Sequence, residues 1–108
     1  MAAYLQIITT AETKAEADKI ARVLVEGGLA ACVQVVGPIT STYAWQGRIE
    51  TAEEWQCLIK TRDDLFGQVE RSIKSVHSYE TPEIIALPIS AGSREYLDWM
   101  TGLLPPET

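Results

Sequence analysis

One hundred and eight residues with a mass of 11.9 kDa suffice for one hydrophobic core and not for two, so a single domain over 1–108 is expected. A composition of 46% apolar and 22% charged residues excludes a disordered segment, and two cysteines are too few for a disulfide-dependent miniprotein. Nine Lys and Arg against fifteen Asp and Glu leave a net charge of −6, the wrong sign for neutralising phosphates, so no nucleic-acid partner is expected.

The chain opens Met1-Ala2-Ala3 with no basic segment before Lys14, which does not read as a secretory signal, and no apolar run approaches the ~20 residues that cross a bilayer. No membrane association is expected. The run Tyr4-Leu5-Gln6-Ile7-Ile8-Thr9 is rich in β-branched residues and apolar on both alternating faces, which predicts a central strand. Thr13-Lys14-Ala15-Glu16 matches a capping box, in which hydroxyl and carboxylate each satisfy a free N–H at a helix start. Ala17, Ile20, Ala21 and Leu24 then mark an apolar helical face, ended by Gly27-Gly28. A second strand over 29–36 stops at the breaker Gly37-Pro38, and a third runs over 39–45 to the turn Gln46-Gly47. The alternating run 54–60 returns to complete a long hairpin. Cys32 and Cys57 fall in these strand-like stretches without a C-x-x-C spacing, which predicts buried, reduced thiols and a cytoplasmic protein.

Asp63 or Thr61 can cap a second helix whose stripe is Leu65, Val69, Ile73 and Val76, ending near His77-Ser78. The apolar strand 83–89 carries Pro88, and Pro82 precedes it, which suits a sheet edge. Gly92-Ser93 starts a third helix with Tyr96, Leu97, Met100 and Leu104 on one face, released by Pro105-Pro106. This order predicts an α+β, ferredoxin-like split βαβ sandwich: an antiparallel sheet with two helices on one face, an extended hairpin and a C-terminal helix. Strands one, two and four are apolar in both registers, so the uncovered face predicts a homo-oligomer, with cover by the third helix as the monomeric alternative.

Several spaced blocks carry a resemblance over nearly the whole chain. They are Ala31-Cys32-Val33, Ser41-x-Tyr43-x-Trp45-x-Gly47-x-Ile49, Glu54 with Leu58-x-Lys60-Thr61, His77-x-Tyr79-x-x-Pro82-Glu83-Ile84, and Tyr96-Leu97-x-Trp99. In this order they resemble the CutA divalent-cation tolerance proteins. The resemblance implies a ferredoxin-like subunit in a homotrimer, similar in plan to the PII signal-transduction proteins, and a cytoplasmic role in tolerance to copper and other divalent metals. It also implies copper(II) ligation by a first-strand Cys and by paired His residues after the second helix. Here Thr9 and Val76 stand at two of those positions, which leaves His77 as the metal ligand.

His77 is the sole imidazole, suited to copper or another divalent cation, and equally suited to bonding the last carbonyls of its own helix. Tyr79 and Glu83 could present a phenol and a carboxylate to a small ligand at a subunit boundary, or simply shape a turn. Lys60 could pair a ligand anion, or Glu54 across the sheet. Tyr43, Trp45, Trp55 and Trp99 suit an oligomer core better than ligand stacking. No nucleophile elbow, P-loop or dinucleotide fingerprint is present, so no catalytic residue is assigned and no cofactor is required. The leading expectation is a non-enzymatic metal-response trimer. The alternatives are a PII-like regulator binding a small anion or metabolite through Lys60, Tyr79 and Glu83, and an acid/base enzyme using His77 with Glu83.

Overall fold

The computed structural model describes residues 3–107; Met1, Ala2 and Thr108, the ends of the expected domain and the start of the leader reading, lie outside the described residues. The elements are β1 (Tyr4–Ala11), α1 (Lys14–Glu26), β2 (Cys32–Trp45), β3 (Arg48–Arg62), a 3-10 turn (Asp63–Leu65), α2 (Phe66–Val76), β4 (Ile84–Ile89) and α3 (Arg94–Leu103). The sheet order is β2-β3-β1-β4 with every neighbouring pair antiparallel, which is the ferredoxin-like split βαβ arrangement. No helix of the described residues is long and apolar enough to cross a membrane.

One sheet face and the apolar sides of α1 and α2 form the main core. Ile7 and Ala11 of β1, Cys57 and Ile59 of β3, Ile20 and Leu24 of α1 and Val69 and Ile73 of α2 are buried there. Alternation sends Gln6, Ile8, Leu58, Lys60, Ile85 and Leu87 to the other face. The third helix covers only one end of that face. Met100 packs with Ala31, Leu65 and Leu104, and the Tyr4 and Thr101 hydroxyls meet at 2.5 Å. Leu87 remains 47% exposed and Ile85 46% exposed, so the monomeric alternative with α3 as a full lid does not hold.

Three local expectations need correction. The second and third predicted strands are one 14-residue strand, because Gly37-Pro38 is absorbed as a bulge that shifts the register between Val36 and Ile39 instead of ending the pairing. Leu29 and Ala30 are not strand; their N–H groups bond the Leu24 carbonyl and close the end of α1, beside Gly28 at φ 72°. The start of α2 has no side-chain cap from Asp63 or Thr61: Asp63 begins the 3-10 turn, and the Thr61 hydroxyl instead donates to the Leu29 carbonyl at 2.6 Å.

At α1 only half the capping box forms. The Thr13 hydroxyl accepts the Glu16 N–H at 3.1 Å, but the Glu16 carboxylate takes the N–H and hydroxyl of Ser78, at 2.7 and 3.1 Å. That bond ties the loop after α2 to the first turn of α1. The β2–β3 hairpin runs well past the end of β1, whose last partner is Trp55. It stretches the molecule to 45 × 26 × 22 Å and its radius of gyration to 14.6 Å, above the ~13 Å of a compact chain this long.

Candidate functional site

The projecting hairpin and the 77–83 loop face each other across the end of β1. His77 starts that loop in an extended conformation, φ −84° and ψ 139°, which stops α2 and turns the chain. Its ring does not bond its own helix. The imidazole Nε2–H donates to the Thr10 carbonyl of β1 at 2.7 Å, and Nδ1 accepts the Tyr79 N–H at 3.1 Å. Both nitrogens of the neutral ring are thus engaged, and the Tyr79 ring lies against it at a 4.9 Å centroid distance.

Tyr79 then reaches across to the hairpin. Its hydroxyl donates to Glu54 Oε2 at 2.7 Å, and the Ser41 hydroxyl donates to Glu54 Oε1 at 2.6 Å. Glu54 is only 8% exposed. Burial first, then the bond to the Glu54 carboxylate, pushes the Tyr79 phenol well above its ordinary value, so it remains a donor. Ser41 and Glu54 had carried no functional assignment from the sequence. Ser41 lies in the Ser41-x-Tyr43-x-Trp45 block and Glu54 heads the alternating run, but nothing in either pattern marks a buried carboxylate.

Between hairpin and loop lies a cleft of about 1490 Å³. Thr10 and Glu12 lie at the end of β1, Ser41, Tyr43, Trp45, Glu50, Glu53 and Glu54 line the hairpin side, and residues 78–83 form the other wall. Glu83 and Tyr79 are therefore brought together. His77 sits behind them, bonded to β1, and does not line the cleft. Lys60 is placed elsewhere: six residues from Glu54 along β3, roughly 20 Å at strand rise, it donates to Gln6 at 2.5 Å and Gln34 at 3.2 Å. Its expected pairing with Glu54 is replaced by these amides, because Glu54 lies beyond the end of β1, next to Ser41.

The aromatic residues divide. Tyr43 and Trp45 stand exposed on the cleft wall, Trp55 packs on the main core over Gly37, and Trp99 is exposed on α3 beside Tyr96. Cys57 is buried and Cys32 half-buried, and both are free. Burial pushes the Cys57 thiol up to about 11. Among the described residues no three His, Cys, Asp or Glu side chains converge to hold a metal ion.

Comparison with known proteins bears on nearly the whole chain. The family model described as CutA1 divalent ion tolerance protein matches residues 5–102. The chain is 44% identical over 94 residues to the divalent-cation tolerance protein CutA of Thermus thermophilus, covering 87% of this chain and 91% of that one. It superposes on the crystal structure of CutA1 from Oryza sativa with a TM-score of 0.94 at 33% identity, over 97% of this chain and 96% of that one. For the periplasmic divalent cation tolerance protein CutA of Archaeoglobus fulgidus the TM-score is 0.89 at 43% identity, over 95% and 98% of the two chains.

Proposed function

Because the chain belongs to the CutA1 divalent ion tolerance family, we propose that it acts in the cellular response to divalent metal ions, as a non-enzymatic homotrimer that binds copper(II) weakly through His77. Family membership over 5–102 carries this reading. The half-exposed apolar side chains Ile85, Leu87 and Val36 on the open sheet face support the assembly, since burying them would add roughly 25 cal/mol per Å². The free thiols support a reducing compartment such as the cytoplasm. No cofactor is required.

The single chain does not gather a closed copper site. Its one imidazole is bonded at both nitrogens, and among the described residues it belongs to no group of three His, Cys, Asp or Glu side chains that could hold a metal ion. A metal at Nδ1 must displace the Tyr79 N–H, so the reading requires weak binding with further ligands from other chains or water. An equilibrium titration with copper(II) of the reduced protein and of His77→Ala, at a pH above the ordinary imidazole range and with zinc as comparison, tests this. Saturable copper binding that disappears in the variant is expected. Equal binding by both proteins, or none by either, overturns the metal role of His77.

A further inference from the structure

Given the metal role of His77, on which this rests, we infer that metal capture by the imidazole unlatches the projecting hairpin, whose position then reports whether the ring is occupied. Three consecutive residues after α2 each bond a different element. The His77 Nε2–H donates to the Thr10 carbonyl of β1 at 2.7 Å, and Ser78 gives its N–H and hydroxyl to the Glu16 carboxylate of α1. The Tyr79 hydroxyl donates to Glu54 Oε2 of β3 at 2.7 Å, and of the three ties it is the one that reaches the hairpin.

These ties are linked through the imidazole. With its proton on Nε2 toward Thr10, the neutral ring has one lone pair, at Nδ1, and that lone pair accepts the Tyr79 N–H at 3.1 Å. A metal–nitrogen bond of ~2.0–2.1 Å uses the same lone pair, so Nδ1 cannot serve a metal and the Tyr79 N–H at once. Turning the ring outward to bare Nε2 instead would break the Thr10 and Tyr79 bonds together. The displaced donor is a backbone group, so Tyr79 moves as a whole. Its ring, seated against the imidazole at a 4.9 Å centroid distance, is carried off with its hydroxyl from Glu54. Ser78, held by Glu16, is the pivot.

The hairpin is placed to respond. Pairing of β3 with β1 ends at Trp55, so from Glu54 to the tip β3 keeps β2 alone as its neighbour in the chain, and β2 is an edge strand. The Ser41 hydroxyl bonds the other oxygen of Glu54, so the latch grips β2 and β3 together. A single hydrogen bond to a carboxylate biases that position and still yields to a ligand that competes for it. The coupling is reciprocal: affinity spent on opening the latch is regained when the latch is already absent.

Two measurements on the reduced full chain test this: amide hydrogen exchange by mass spectrometry with and without copper(II), and copper(II) titration of Tyr79→Phe, which removes the latch hydroxyl and spares both bonds of the His77 ring. Copper should raise exchange in residues 39–54 and 79–83 and leave that of α2 unchanged. Tyr79→Phe should show the raised hairpin exchange without metal and bind copper about fivefold or more tighter. Tyr43→Phe, which removes an exposed phenol from the same cleft wall, should do neither. His77→Ala should show raised hairpin exchange that copper does not alter. Copper bound at His77 with hairpin exchange unchanged, or Tyr79→Phe binding no tighter than the natural protein, overturns the latch and leaves the metal role of His77 standing. No saturable binding, or binding that His77→Ala retains in full, overturns both. The exchange measurement uses the natural chain, so it decides the matter even where a variant fails to fold.

Discussion

Thr9 holds the one buried side-chain polar atom of the described residues that has no hydrogen-bond partner. It sits on the core face of β1 at no measurable exposure, where an unpaired hydroxyl costs free energy and a methyl of the same shape would not. Thr9→Val should therefore raise stability by about 1 kcal/mol in urea unfolding; a loss of that size would show that the hydroxyl has a partner or a role. Residue identity at this position was legible as a departure from the ligand pattern of the resembled family, but its orphaned state was not. The same holds for His77, whose partner Thr10 lies 67 positions away, and for Glu54, whose partner Tyr79 lies 25 away. A side chain's bonds across such separations depend on which strand ends where.

The elements were legible where periodicity is strong and obscure where a breaker lies inside an element. The strands, α1 and α2 follow from alternation and from the 3.6-residue stripe, because burial on one face imposes those periods. Gly37-Pro38 reads as a stop and acts as a bulge, since the paired β3 strand continues past it and supplies partners on both sides. Gly37 is needed there for space: a Cβ would lie 2.6 Å from Trp55 Cε3 and 2.8 Å from Cδ2. Gly37→Ala should cost about 1–3 kcal/mol as an overpacked site, measured by thermal or urea unfolding, with partial recovery when Trp55→Leu opens room. An unchanged unfolding midpoint would mean the indole moves aside freely. Glu16 makes the complementary point: its capping-box spacing is right, but the Ser78 N–H and hydroxyl compete for the carboxylate and hold it.

For the whole molecule, the apolar open face is the consequence of covering a sheet on one side only. Two helices pack on the core face, and α3 reaches just the end near Tyr4 and Ala31. In the proposed trimer Leu87, 47% exposed on the edge strand β4, becomes an interface residue, and a charge there would have to be desolvated. Light scattering at micromolar concentration should give three times the 11.9 kDa chain mass for the natural protein and a smaller particle for Leu87→Lys. A natural protein at 11.9 kDa would refute the assembly, and an undisturbed variant would move the interface off β4.

The sequence by itself determined the α+β class, the order of elements, the edge position of the proline-bearing strand and the family, because each is written in local periodicity, turn chemistry or a spaced set of residues. Only the tertiary structure decided what the chemistry-bearing residues touch. It separated Lys60 from Tyr79 and Glu83, turned His77 inward onto β1, and buried Glu54 under two hydroxyls beside a cleft of carboxylates. The physical reason is that the hairpin outruns β1: the β3 residues before Trp55 keep β2 but lose β1 as a neighbour, and Glu54, the first of them, takes Tyr79 of the 77–83 loop as a partner.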